Sequence, residues 1–359
     1  MGHASEPVAR PLRILEIGFQ PLLSTAFPDQ TEFIDTRFRW SEVRTYETAK
    51  SSLPRRLYRL AGSFVHLLRT CWRQEYDVVA TRCLGPVNSH GRSILNHLGR
   101  VMMGGAFRGL VRFTARGQRV RLVVIDQTDH VTIHPRDHKF IRACALYFKR
   151  ELADNHWHSL EAVLPRGACT GATRFTPEGV ALRARLRPFA LGIDATAIVP
   201  PIPTTGKKYD LFYVGTAAGI PLREGLHEVL DVLAGRGWRV FAPKERLTPD
   251  EYREAVRQSR LCLSPGGVGW DCYRHYEVVA FGSVPVFNYR GMQCIAPFRH
   301  GVHCFYYDPQ GDVAEQVEVW LRLPPELLDR VAGGAQEHLA KHFTFDALAA
   351  YVLRELEAL

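Results

Sequence analysis

The 359-residue sequence has no apolar run long enough to cross a bilayer. VMMGGAF, at 101–107 near the middle, is seven residues long where about 20 are needed. The opening stretch, MGHASEPVARPLRILEIGF, carries no hydrophobic segment ahead of its first strand-like run, and Glu6 stands where a myristoylation signal would place Ser or Thr. A cytoplasmic protein is therefore expected. The cysteines at 71, 83, 144, 169, 262, 272, 294 and 304 include no C-x-x-C pair and no zinc-like spacing, which points to reduced, mostly buried thiols. An Asp-x-Asp triplet is missing, as are repeats and low-complexity tracts. Acid is also in short supply: 46 Lys and Arg against 37 Asp and Glu leave a net charge of +9. Such a balance favours an anionic partner, whether nucleic acid, phosphate ester or membrane surface. Aromatic and basic residues are not interleaved on strands as an RNA-binding sheet requires, so nucleic acid is an unlikely partner.

What remains is an alternation of strand and helix. LRILEIGF (12–19), YDVVATR (76–82) and RVRLVVIDQTDH (119–130) read as buried strands, and the stretches 53–73 and 138–157 read as helices. PIPTTGKKYD (201–210) interrupts the pattern with proline, glycine and charge. Alternation then resumes with YDLFYVGT, a helix over 223–237, WRVFAP, a helix over 248–260 and the strand LCLSP. Thr248 and Glu251 form a capping-box pattern with Pro249 at the first helical position. Two successive βα arrays imply an α/β protein with two facing doubly wound, Rossmann-like domains. The expected divisions are 1–200, a linker at 201–210, a second domain at 211–343, and a last helix at 344–359 that packs back on the first domain.

SPGGVGWDCYRHYEVVAFGSVPVF (264–287) is the most informative stretch. Its glycines follow a strand end, where positive φ angles would bare several backbone N–H groups to a phosphate; a tight turn is the plainer alternative. Arg274 and Glu277, three apart on the following helix, could neutralise a diphosphate and accept hydrogen bonds from ribose hydroxyls, or simply form a surface ion pair. The order R-H-Y-E-V-V-A-F-G-S-V-P-V-F resembles the donor-binding segment of two-domain, GT-B-type glycosyltransferases. Its Arg-x-x-Glu is similar to the exostosin-like and spore-coat CgeB-like branches. The large retaining group carries two Glu eight positions apart, and its first Glu would fall at Gly269 here. KKYDLFYVGT followed by Arg223 resembles the first strand and phosphate-side loop of the same domain, and DHKFIRACALYFKREL a CgeB-like segment before the linker.

The resemblance implies a nucleoside diphosphate sugar as co-substrate and no other cofactor, while the missing Asp-x-Asp triplet and the surplus of basic residues near the glycine loop predict that no metal is needed. Gly215, Thr216, Arg223, Gly266, Gly267 and Arg274 would cradle the diphosphate, Glu277 would hold the ribose, and Lys244 is either an accessory cation or a solvated loop residue. On the acceptor side, Asp126, Asp129 and His130 stand at the end of the strongest strand. Asp129 or His130 would serve as the base, unless Asp129 only caps the next helix. His130, His134 and His138 recur every four residues, but Pro135 argues against one helix presenting all three to a metal. The basic helix at 53–73 either packs on its own sheet or gives peripheral contact with an anionic membrane or lipid-linked acceptor. Sugar transfer is the leading function. A nucleotide-sugar epimerase or hydrolase, and a non-catalytic binding protein, are the alternatives.

Overall fold

A computed structural model of the chain describes residues 10–18, 21–35, 76–82, 120–164, 176–215, 219–288 and 291–359, with 65 and 69 as isolated helical points. The basic stretch at 53–73 otherwise lies outside the described residues, as does Thr216. Continuous apolar runs flanked by crossovers are the signature of parallel strands covered on both faces. Four inner strands fit it, β1 (Ile14–Gly18), β3 (Val78–Arg82), β4 (Arg121–Asp126) and β5 (Leu146–Lys149), while the edge strands β2 (Thr31–Asp35) and β6 (Leu186–Pro188) are less apolar and partly open. They form one parallel sheet in the order β2-β1-β3-β4-β5-β6. A second sheet contains β7 (Tyr209–Phe212), β8 (Val240–Phe241), β9 (Ser259–Leu263), β10 (Val284–Asn288) and β11 (Phe305–Tyr307). Its order is β11-β10-β9-β7-β8, and every pairing is parallel.

The expected 138–157 helix is a correction. The chain forms a helix at His138–Ala143, becomes β5, and is helical again at His156–Leu160. FIRACALYFK is apolar without a clear period, so neighbours decide its conformation. Ala145 N–H donates to Leu122 O at 2.7 Å as the chain joins β4, and β6 closes the other side. Sequence signals hold better in the second half. Thr248 accepts from the Glu251 amide while Glu251 accepts from the Thr248 amide, capping the helix Pro249–Arg257 as the pattern anticipates.

β7 opens at Tyr209, inside the 201–210 stretch. Ahead of it, the connection from β6 is anchored at several points. Ile193 exchanges backbone hydrogen bonds with Phe343 and Phe345, and Val199 N–H donates to Ala280 O at 3.0 Å. The last helix, Phe345–Glu357, lies against the first sheet: Arg121 donates to Leu356 O, Arg187 pairs with Glu355, and Tyr351 meets Phe148 edge-on. One apolar cluster runs from Ile14, Val123 and Phe148 through Phe189 and Leu348 to Tyr276, Val278 and Phe287. The sheets therefore share a core, while the outer face of each has a cluster of its own.

A second join sits after β5 and β10. Gln293 N–H donates to Leu152 O at 2.8 Å, Asp154 N–H donates to Gly291 O at 3.0 Å, and Ala153 bridges Met292 antiparallel.

Gly282 ends the helix Tyr273–Ala280 with φ +79°, as its position before a strand suggests. A Cβ there would also meet Pro201 Cα at 2.7 Å. Gly282→Ala is expected to destabilise the fold by about 1–3 kcal/mol. Denaturant titration checks this, and an unchanged midpoint would show that the Pro201 segment yields.

Candidate functional site

In the second sheet the chain leaves β7 toward β8 and returns as β9 on the other side of β7. The loops that follow β7 and β9 diverge, and in open α/β sheets a crevice for ligands forms at that point.

Two guanidiniums enter the crevice. Arg223 ends the short Pro221–Arg223 turn, and its Nε donates to Gly266 O at 3.0 Å. Arg274 sits in the first turn of the helix Tyr273–Ala280, where the helix dipole already favours negative charge. Its Cζ lies 5.9 Å from the Tyr213 ring centroid, and its Nη1 is buried with no partner among the described residues. Burial lowers the pKa of Arg223, and the charge of Arg274 lowers it further. The phenols of Tyr213 and Tyr307 are fully buried, with hydroxyls that meet no partner among the described residues. Gly215 leaves this recess open: a Cβ there would stand 2.9 Å from Tyr213 Oη and 3.3 Å from Arg274 Nη1. Adjacent cations and idle hydroxyl donors make a half-buried electropositive recess of the kind that suits a diphosphate.

Glu277 lies one turn along the helix from Arg274 and is half-buried. The two form no ion pair within 4 Å, so the surface-pair alternative is not what the structure contains. Burial raises the pKa of Glu277, while Tyr252 and the Arg274 charge draw it down. Tyr252 Oη faces this carboxylate but completes no well-formed hydrogen bond. Lys244 is exposed beyond the end of β8.

The glycine loop corrects the expectation placed on it. None of Gly266, Gly267 and Gly269 has positive φ. Most of the loop amides are also engaged: Gly266 N–H donates to Asn288 Oδ1, Gly267 N–H to Gly269 O, and the Trp270 and Asp271 amides to Glu151. Among the described residues, the amides of Val268 and Gly269 are left without a protein acceptor. Glycine is needed here for close approach. A Cβ at 266 would meet Trp270 Cα at 3.2 Å, one at 267 Arg223 Nη2 at 3.2 Å, and one at 269 Glu151 Oε1 at 2.4 Å.

The carboxyl ends of β4 and β5 face this loop from the other sheet, since Glu151 follows β5. Asp126 is structural: burial would raise its pKa, but Lys149 at 3.0 Å and the amide and hydroxyl of Thr128 hold it below the usual range. Tyr147 Oη donates to it as well. Asp129 does not cap a helix. Helix His138–Ala143 starts after Asp137, and Asp129 is partly exposed and ion-paired with Arg150. His130 is exposed beside it. Among the described residues, no group of three or more His, Cys, Asp or Glu is arranged to hold a metal, and His130, His134 and His138 make no such group.

Tyr213, Tyr307, Asn288, Glu151 and His275 all belong to the site region and were missed in the sequence. Tyr213 and Tyr307 read as ordinary core aromatics, and Glu151 as one charge in a KREL run.

Comparison with known proteins fits this geometry. The architecture is that of GT-B-type glycosyltransferases: two doubly wound parallel sheets with the crevice at the strand ends. Solved structures of similar fold cover almost the whole chain. A glycosyltransferase from Rickettsia africae ESF-5 has a TM-score of 0.53 at 8% identity, covering 96% of this chain and 89% of its own. Anabaena Alr3699/HepE in complex with UDP has a TM-score of 0.51 at 12% identity, covering 97% and 100%. Residues 207–299 match the family described as RXYLT1 C-terminal domain. Short stretches of the chain are also similar to ribitol-5-phosphate xylosyltransferase 1. The human protein is 38% identical over 64 residues, 18% of this chain and 14% of the relative. The Danio rerio protein is 54% identical over 39 residues, 11% and 9%. The matches thus span under a fifth of the length of these two relatives.

His275 supports the loop from beneath. Its Nδ1 receives the Ser264 hydroxyl at 2.8 Å, and its Nε2 faces Trp270 O at 2.7 Å, an arrangement suited to a neutral ring that donates from Nε2. Burial lowers its pKa from 6.5 to about 4. Because the folded value lies below the unfolded one, the stability this ring contributes is complete above pH about 6.5 and is lost as pH falls toward about 4. The loss should be on the order of 3 kcal/mol. Unfolding free energies at pH 7 and 4, for wild type and His275→Asn, check this; equal slopes in the two proteins would exclude His275 as the titrating group.

Proposed function

We propose that this chain is a glycosyltransferase that moves a sugar from a nucleoside diphosphate sugar to an acceptor hydroxyl. The observation that carries the proposal is the recess at the β7/β9 switch point, where Arg223 and Arg274 stand side by side with the idle hydroxyls of Tyr213 and Tyr307. The match of residues 207–299 to a family named for a xylosyltransferase, and the fold shared with a UDP-bound protein, support the same reading.

In this proposal, the segment from 211 to 343 binds the donor and residues 1–200 present the acceptor. Arg223 and Arg274 take the diphosphate, Gly215, Gly266 and Gly267 let it approach the backbone, and Thr216 adds a hydroxyl. Glu277 accepts from the ribose hydroxyls. The acceptor oxygen attacks the anomeric carbon as the bond to the diphosphate breaks, and its proton passes to Asp129 or His130. Negative charge gathers on the leaving phosphate, where preorganised cations stabilise the transition state most. Arg150 already occupies one oxygen of Asp129, so the free oxygen of Asp129 and the exposed His130 imidazole are the two candidate bases. The names of the matched relatives favour a pentosyl donor and a phosphorylated polyol acceptor. The Arg-x-x-Glu order supports a donor segment like that of the exostosin-like and CgeB-like branches. No described helix is long and apolar enough to cross a membrane. A cytoplasmic, membrane-peripheral location is part of the proposal, with 53–73 as the contact.

Isothermal titration with UDP tests the donor assignment. Glu277→Gln removes the charge that strengthens a hydroxyl–carboxylate bond, so binding should weaken by about 1.5–3 kcal/mol. Arg274→Met should weaken it at least as much. Melting temperature should hardly fall in Glu277→Gln, because no ion pair is lost. Wild-type UDP affinity in both variants would remove these residues from the donor site.

The paired arginines also lead us to propose that no metal is needed to neutralise the diphosphate. Sugar transfer should persist in a chelator; activity abolished by EDTA and restored by manganese would overturn this.

A further inference from the structure

Lys149 ends β5, and the dipeptide that follows points to both halves of the molecule. Arg150 pairs with Asp129, the candidate acceptor base, and its Nε lies 3.5 Å from Glu151 Oε1. Glu151, fully buried, turns to the opposite sheet and accepts the consecutive amides of Trp270 and Asp271, each at 3.0 Å. Those amides lie where the glycine loop runs into the helix that carries Arg274 and Glu277. Gly269 leaves the volume that the carboxylate fills. Asp271 in turn accepts from Leu191 N–H at 2.9 Å and from Tyr276 Oη at 2.6 Å, which fixes the far end of the loop.

We propose that Glu151 is a positioning residue of the donor site: a carboxylate from the acceptor half holds the glycine loop in its donor-binding shape and ties that shape, through Arg150, to Asp129. The proposal rests on the donor reading given above. A carboxylate bound by two successive amides fixes their direction as no neutral side chain can, because both of its oxygens accept. Glutamine presents its carboxamide NH2, a donor, to one of the two N–H groups, so the loop must shift. A competing account makes Glu151 a plug that occupies the place of a donor phosphate. The two accounts predict opposite signs for the same substitution.

The experiment measures UDP affinity by titration in wild type, Glu151→Gln, Glu151→Asp and His156→Ala, with melting temperatures and amide exchange of peptides spanning 264–272. His156 faces Gln293 at 2.9 Å across the same seam without touching the loop, so its removal reports loosening of the seam alone. Wild-type binding of UDP establishes the donor reading independently; its absence would count against that reading and not against the role of Glu151. Given binding, Glu151→Gln should weaken it about tenfold. Glu151→Asp, which keeps the charge but reaches less far, should weaken it less, and His156→Ala should leave it unchanged. Amide exchange in 264–272 should quicken most in Glu151→Gln and stay at the wild-type rate in His156→Ala. Unchanged or tighter UDP binding in Glu151→Gln would overturn the proposal, tighter binding favouring the plug. Equal weakening in Glu151→Gln and His156→Ala would reduce Glu151 to general stitching.

Discussion

A carboxylate taken wholly out of water must find cations or several N–H donors, or it gives up its charge by taking a proton. Glu151 finds both at the meeting of the two sheets: the amides of Trp270 and Asp271 on one side and Arg150 on the other. Burial raises its pKa, the Arg150 charge draws it back, and the Asp271 charge raises it again. Such a balance survives only if the pieces keep their places. The 150–154 segment is accordingly bound to 291–293, and the path from β6 is bound to the helices around 280 and 343. The floor of the crevice is hydrogen-bonded at several points, and the glycine loop is part of it.

On that floor the electrostatics run against stability. Placing Arg274 at the positive end of a helix, beside Arg223 and the buried hydroxyls of Tyr213 and Tyr307, leaves cations close together and polar atoms without partners. A recess optimised for folding alone would hold a carboxylate among them. The nearest acidic group on the same helix, Glu277, makes no ion pair with Arg274 and keeps a raised pKa. Groups left unsatisfied in this way support the proposal that an anionic ligand completes the structure here.

How much of this was legible in the sequence depended on whether the signal was local. β4 announces itself by RLVVID, the Pro249–Arg257 helix by its capping box, and the Tyr273–Ala280 helix by its closing glycine. β5 did not, because LYFK carries no period of its own and becomes a strand only between β4 and β6. Arg274 and Glu277 were legible as a pair on one helix, whereas the hydroxyls that complete the recess come from Tyr213 and Tyr307, almost a hundred residues apart. The glycines were noticed for the wrong reason. Their φ angles are ordinary, and what excludes a side chain is the approach of Trp270, Arg223 and Glu151. Sequence can mark a glycine as significant but cannot say which distant neighbour requires it.

Glu151 is the extreme case of that limit, and its position also explains why one dipeptide can serve two sites. Arg150 and Glu151 form the turn that directly follows β5, between the two sheets. In the proposed reading, one side of this turn faces the acceptor and the other the loop of the second sheet. Arg150 takes the first direction and meets Asp129; Glu151 takes the second and meets the loop. The contact at 3.5 Å between them means that the charge on each stabilises the charge on the other. Under the proposed reading, a shift of the loop would be felt at Asp129 through Glu151 and Arg150, which are adjacent in the chain.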